Sequence, residues 1–147
     1  MTSSDIISVI AIIVSIVTAF WTIISEFVIK RYERKESLIV EIYGEGTLTI
    51  KLPKLIYGAI TLQKSDREKA KKLIRDLQKK SYYFRMIDED YYRKIINSLN
   101  DIQDNLMLLG QEQQYKSESA KMESLLKAFY KVIYQGTSNK IKSFILH

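Results

Sequence analysis

The chain has no cysteine, one proline, five glycines and one histidine among its 147 residues. Without cysteine there can be no disulfide framework, no thiolate nucleophile and no Cys-based metal site. A single histidine removes paired-His metal sites and leaves any Ser-His-Asp triad to His147, the last residue of the sequence. Gly-rich phosphate loops, a G-x-S-x-G turn and metal-spaced carboxylates are also missing. Asp88-Glu89-Asp90 reads more simply as a helix N-terminus than as a divalent-cation site. The expectation is a protein that is not an enzyme and that carries no cofactor and no metal. Apolar residues make up 46% of the chain, which excludes a disordered or polytopic membrane protein. Charge is what the start of the chain lacks: Ile6 to Ser25 are 20 residues without one, and all 23 Lys and Arg lie at or beyond Lys30.

Twenty residues in a helix rise about 30 Å, the hydrocarbon thickness of a bilayer. The run is dense in Ile and Val, which lipid tolerates, and Phe20, Trp21, Phe27 and Tyr32 cluster toward one end as interfacial aromatics do. A cleaved signal peptide would want a basic start and a small-x-small site, whereas Met1 to Asp5 has no cation and Phe27-Val28-Ile29 follows the run. Residues 1–29 are therefore expected to form a retained transmembrane helix. Lys30, Arg31, Arg34 and Lys35 form a basic juxtamembrane collar over residues 30–37. The positive-inside bias then sets the N-terminus outside and the rest of the chain in the cytoplasm, with the plasma (inner) membrane as the location. A cysteine-free chain is compatible with that reducing compartment.

Inside the span, Ser4, Ser8, Ala11, Ser15, Thr18, Thr22 and Ser25 follow one another at spacings of 4, 3, 4, 3, 4 and 3. This is a heptad seam written in small and hydroxyl residues, with bulky apolar residues on the other faces. In lipid, helices associate through close backbone approach and interhelical hydrogen bonds, which small residues supply. The seam predicts homo-oligomerisation in a left-handed bundle. In a dimer or trimer it is the contact itself, and its hydroxyls bond backbone carbonyls. In a larger ring the same stripe lines a pore, with Asp5 and Glu26 as acidic rings at the mouths that favour cations.

Beyond the collar the apolar period changes to two. Leu38, Val40 and Ile42 alternate with Ile39, Glu41 and Tyr43, Gly44-Glu45-Gly46 follows, and then Leu48, Ile50 and Leu52 alternate with Thr47, Thr49 and Lys51. The pattern predicts a β-hairpin within residues 38–63. Lys54 to Gln63 fits either a helix opened by Pro53 or a third strand over Leu55 to Leu62. Residues 64–147 read as a cytoplasmic helical domain, with the structure of 141–147 left open. Ser65-Asp66-Arg67-Glu68 is a capping-box pattern before Ala70, Leu73, Ile74 and Leu77. A second helix carries Tyr92, Ile95, Leu99, Ile102, Leu106 and Leu109 and stops at Gly110. A third, capped by Ser117 or Ser119, turns Met122, Leu125, Leu126, Phe129, Val132 and Ile133 inward and precedes Gly136. The fold class expected is α+β, mostly α: a single transmembrane helix, a β-hairpin and a small helical bundle.

Two features of this domain point to a partner. Lys64, Arg67, Lys69, Lys71, Lys72, Arg75, Lys79 and Lys80 meet only Asp66, Glu68 and Asp76, a local excess of positive charge that attracts anionic lipid, RNA or an acidic protein. Aromatics interleave with cations at Tyr82-Tyr83-Phe84-Arg85 and Tyr91-Tyr92-Arg93-Lys94. Lys69, Lys72, Arg75, Tyr82, Tyr83 and Arg85 thus mark a candidate surface for a partner or for stacked bases. The same aromatic spacing also suits packing between two helices, so nucleic acid is left outside the expected partners, which are the membrane, further copies of the chain, anionic lipid and a cytoplasmic protein.

One N-terminal span, the collar of Lys30, Arg31, Arg34 and Lys35 and a compact module behind it resemble small single-span effectors of bacterial antiviral defence, including membrane proteins that accompany some CRISPR systems. The resemblance lies in architecture along the whole chain and implies triggered depolarisation of the membrane of an infected cell. Lys142 and His147, five apart, resemble the Arg-then-His motif of HEPN ribonucleases. Lys stands there in place of Arg and cannot fork onto a phosphate in two bonds, so no catalytic role is assigned. The expected function is a homo-oligomeric membrane effector whose span forms a pore or disruptive bundle under control of the cytoplasmic domain. The alternative is a membrane anchor or adaptor that recruits a cytoplasmic protein or RNA.

Overall fold

The computed structural model describes residues 2–44, 46–61, 64–108 and 115–137. The described elements are all helical: α1 (Ser3–Tyr43), a π-helical turn (Thr47–Lys51), α2 (Leu52–Ile60), α3 (Lys64–Ser81), a 3-10 turn (Tyr82–Met86), α4 (Glu89–Leu108) and α5 (Tyr115–Gln135). The chain divides into two compact units, Met1–Arg34 and Lys35–His147. The first unit is the greater part of α1, and its one helix is long and apolar enough to cross a membrane. Sixteen large apolar side chains between Ile6 and Ile29 each expose 45–72% of their surface. Such a continuous apolar surface calls for lipid or for other copies of the helix.

The expected β-hairpin is absent, and with it the α+β class: among the described residues there is no strand. Helix α1 runs on to Tyr43, and residues 47–60 are helical as well. The same letters carry two periods. Leu38, Val40 and Ile42 alternate, but the buried set is Ile39, Ile42 and Tyr43, spaced 3 and then 1, the stripe of one helix face. Leu48, Leu52, Ile56 and Ala59 are likewise buried at helical spacing. Two faces of neighbouring helices satisfy this stripe, so burial overrides the strand propensity of Ile, Val, Thr and Tyr. Pro53 sits in the first turn of α2, where its missing N–H costs nothing, so the helical alternative for this stretch is the one realised. Gly46 takes φ 73° between α1 and the π-helical turn, a conformation natural to glycine.

In the second unit α2 packs on α3, α3 on α4 and α4 on α5. Ala70, Ile74 and Leu77 of α3, Ile95, Leu99, Ile102 and Leu106 of α4, and Met122, Phe129 and Ile133 of α5 form the core that their spacing predicts. The end of α1 is built into it. Tyr43 stacks parallel to Phe84 at 6.4 Å and meets Phe129 edge-on at 6.0 Å. Ser81 spends its hydroxyl proton on the Leu77 carbonyl, so the Tyr43 hydroxyl donates to Ser81 Oγ. Two local expectations shift, one by two residues and one by one. Helix α3 starts at Lys64, which puts Ser65 inside its first turn, and Tyr91 rather than Tyr92 is the buried aromatic of α4. Tyr91 donates to the Ile133 carbonyl, and a Cβ on Gly136 would come within 2.7 Å of its ring. Leu109, Gly110, Lys142 and His147 lie outside the described residues, as does the 141–147 tail.

Candidate functional site

The seam is carried by one helix. At about 100° per residue, Ser4, Ser8, Ala11, Ser15, Thr18, Thr22 and Ser25 fall within an arc of about 100° along about 30 Å of axis. Five of its hydroxyls reach back one turn. Ser8 donates to Ser4 O at 2.9 Å, Ser15 to Ala11 O at 2.8 Å, Thr18 to Val14 O at 2.7 Å, Thr22 to Thr18 O at 2.9 Å and Ser25 to Thr22 O at 3.0 Å. Back-bonding hides the hydroxyl proton from lipid and leaves a narrow, weakly polar groove flanked by Ile and Val. Glu26 continues this arc and is exposed. Asp5 has a second occupation: its carboxylate accepts from the Thr2 amide and hydroxyl, both at 2.8 Å, and so closes the N-terminus of α1 as a capping box.

The collar residues part company. Lys30, Arg31 and Arg34 are exposed. Lys35, the first residue of the second unit, pairs with Asp88 at 2.8 Å, and its ammonium lies 4.1 Å from the centre of the Tyr91 ring. Asp88 also caps α4 by accepting the Tyr91 amide at 3.0 Å. Burial pushes the Tyr43 and Tyr91 phenols well above their ordinary range, and burial followed by Tyr134 pushes Tyr130 up to about 12. At the surface, Arg93 holds Glu89 and Lys127 holds Glu123 below the ordinary carboxyl range, first through a hydrogen bond and then through charge.

Of the aromatic and basic residues singled out in the sequence, Lys79, Tyr82, Tyr83, Arg85 and Tyr92 are brought together at the corner between α3 and α4. Lys69, Lys72 and Arg75 are exposed on α3, and Tyr82, Tyr83 and Arg85 are exposed on the 3-10 turn that follows. Phe84 between them is buried and fixes the turn. Arg85 stands 5.8 Å over the Tyr82 ring, and Tyr92 meets Tyr82 edge-on at 6.1 Å. These rings border an open groove of about 750 Å³ lined by Gln78, Lys79, Tyr82, Tyr83, Tyr92, Ile96 and Asn100. Gln78 donates to Asn100 Oδ1 at 2.8 Å and to Gln103 Oε1 at 3.3 Å, an amide chain along one wall. Gln78, Ile96 and Asn100 carry no signal in the sequence, since their role comes from the crossing of α3 and α4. Among the described residues no cluster of three metal-binding side chains occurs. No family model, curated protein or solved structure matches the chain.

Proposed function

We propose that the protein is a single-pass membrane effector that assembles through the seam of α1, with the N-terminus outside, the second unit in the cytoplasm and membrane permeability under that unit's control. The observation that carries the reading is the seam itself: seven small residues on one arc of a helix whose bulky apolar side chains from Ile6 to Ile29 are exposed. A bare anchor needs hydrophobicity and length but has no use for a small-residue groove through the bilayer. The basic residues Lys30, Arg31 and Arg34 support the orientation. The lines of a pore or leaky bundle follow from hydroxyls and Glu26 sharing one face, and the antiviral role belongs to the same proposal through the architecture it resembles.

Ser15→Leu and Thr18→Leu test this reading, because each fills the groove while lengthening the apolar run. Liposomes carrying the native chain should leak an entrapped ion indicator, and those carrying either variant should lose at least about tenfold of that rate while inserting equally well. Native chain that leaks nothing in any oligomeric state would sink the effector reading. The anchor or adaptor reading has one observation of its own: the back-bonded hydroxyls need no water and no partner. It requires that an unrelated apolar span replace residues 3–29 without loss of function.

A further inference from the structure

We propose that the groove at the α3–α4 corner is a binding site for single-stranded RNA, which stacks bases on Tyr82 and Tyr83 and rests its phosphates on Lys72, Arg75 and Lys79. The sequence left two uses open for these tyrosines, packing between helices or stacking on a ligand. Phe84 and Tyr91 take the packing positions and are buried, whereas Tyr82 and Tyr83 expose 51% and 65% of their surface. Lys72, Arg75 and Lys79 stand at spacings of 3 and 4 on α3, so they form one row that leads to the two rings three and four residues further on. Among the described residues none of these three cations is in a salt bridge. Rows of unpaired cations beside open aromatic faces are the two parts of a single-strand platform: one tracks the backbone, and the other accepts any base.

The groove wall separates RNA from an anionic membrane surface as the occupant. Gln78 and Asn100 present amide groups beside the rings, and base edges can exchange hydrogen bonds with amides, which a layer of headgroups has no need of. A duplex hides its bases from the rings, so the ligand is single-stranded. This inference stands apart from whatever the span does.

The test uses the full chain in nanodiscs of zwitterionic lipid, which offer no anionic competitor, and a fluorescent 15-nucleotide RNA of mixed sequence read by anisotropy. Three phosphate contacts from the row give a salt slope near −2, so affinity should fall about 20-fold between 50 and 200 mM salt. Tyr83→Ala and Tyr82→Ala should each weaken binding by about fivefold or more at fixed salt, and Lys79→Gln should reduce the slope by roughly one contact. Lys121→Gln, exposed on α5, should leave both unchanged. Circular dichroism checks that the variants, all at exposed positions, keep their helices. The proposal is overturned if a blunt RNA duplex binds as tightly as the single strand, if both tyrosine variants bind like the native chain, or if they lose adsorption to phosphatidylserine vesicles while RNA binding is absent.

Discussion

Helix α1 is one helix with two kinds of surface. Up to Arg34, in the first unit, its large apolar side chains are exposed and the hydrogen bonds of its seam hydroxyls close within one turn. From Lys35 onward, in the second unit, Ile39, Ile42 and Tyr43 are buried and the bonds run far along the chain, to Asp88 and Ser81. Both parts are rich in Ile and Val, so composition does not separate them. What separates them is whether the same chain supplies a facing surface. In the first part the large apolar side chains are exposed; in the second, side chains of α3, the 3-10 turn, α4 and α5 meet it. Apolar burial should therefore stabilise the second unit through Ile39 and leave it indifferent to Ile13.

That difference carries the largest effect. Ile39→Ala should cost the second unit about 2–5 kcal/mol, as truncations at fully buried sites do. Ile13→Ala should change the same unit's stability by less than about 0.5 kcal/mol. Urea unfolding in nanodiscs, followed by amide hydrogen exchange of α4 and α5, measures both. Equal effects would mean that the two units do not unfold separately and that the comparison is wrong.

The same contrast explains what could be read in the letters. The seam and the stripes of α3, α4 and α5 were legible because each repeats at helical spacing for three turns or more, longer than any accidental alternation. The α1 end was not. Leu38 to Tyr43 covers fewer than two turns, in which periods of 2 and 3.6 both find apolar residues in place, and Gly44-Glu45-Gly46 is turn chemistry for either structure. The decision lay with distant residues: Phe84 stacks on Tyr43, Phe129 meets it edge-on, and Tyr130 donates to the Leu48 carbonyl at 2.7 Å. Tyr82 and Tyr83 were legible as candidates from their cationic neighbours, but Tyr91-Tyr92-Arg93-Lys94 reads the same way and splits, because one tyrosine enters the core and the other borders the groove. Only the crossing of α3 and α4 distinguishes the two clusters.

A second way to sharpen the comparison is alkaline pH. The second unit buries Tyr43, Tyr91 and much of Tyr130, all with phenols raised from an ordinary value of 10.0. Above pH 10 the unfolded chain gives up these protons while the folded one keeps them, so the folded state binds more protons and stability falls as pH rises. The contribution is complete below about pH 10 and, for Tyr130, is lost as pH passes through about 12. The melting temperature of the second unit should therefore hold steady to about pH 9.5 and decline beyond it. Tyr130→Phe should be less stable at neutral pH by about 1 kcal/mol, having lost the bond to Leu48, yet decline less steeply above pH 10. A parallel decline in native and variant would remove Tyr130 from the account.

The smallest effect falls where the two regions meet in sequence. Lys35 was counted with Lys30, Arg31 and Arg34 as a collar residue, but its side chain is only 12% exposed and it holds both Asp88 and the face of Tyr91. The pairs Arg93–Glu89 and Lys127–Glu123 have similar distances, 2.8 and 2.7 Å, with both partners more than half exposed. Exposed pairs of this kind contribute little and fade in salt. Lys35→Met keeps the stem and removes the charge, which takes the Lys35 ammonium away from the Asp88 carboxylate and from the face of Tyr91. The loss should be about 1 kcal/mol and persist at 0.5 M salt, against no measurable loss for Lys127→Met. Should the two variants match, Lys35 acts as one more surface cation. Should they differ, one collar cation in four is a structural residue of the second unit, and only the other three remain to set orientation by charge.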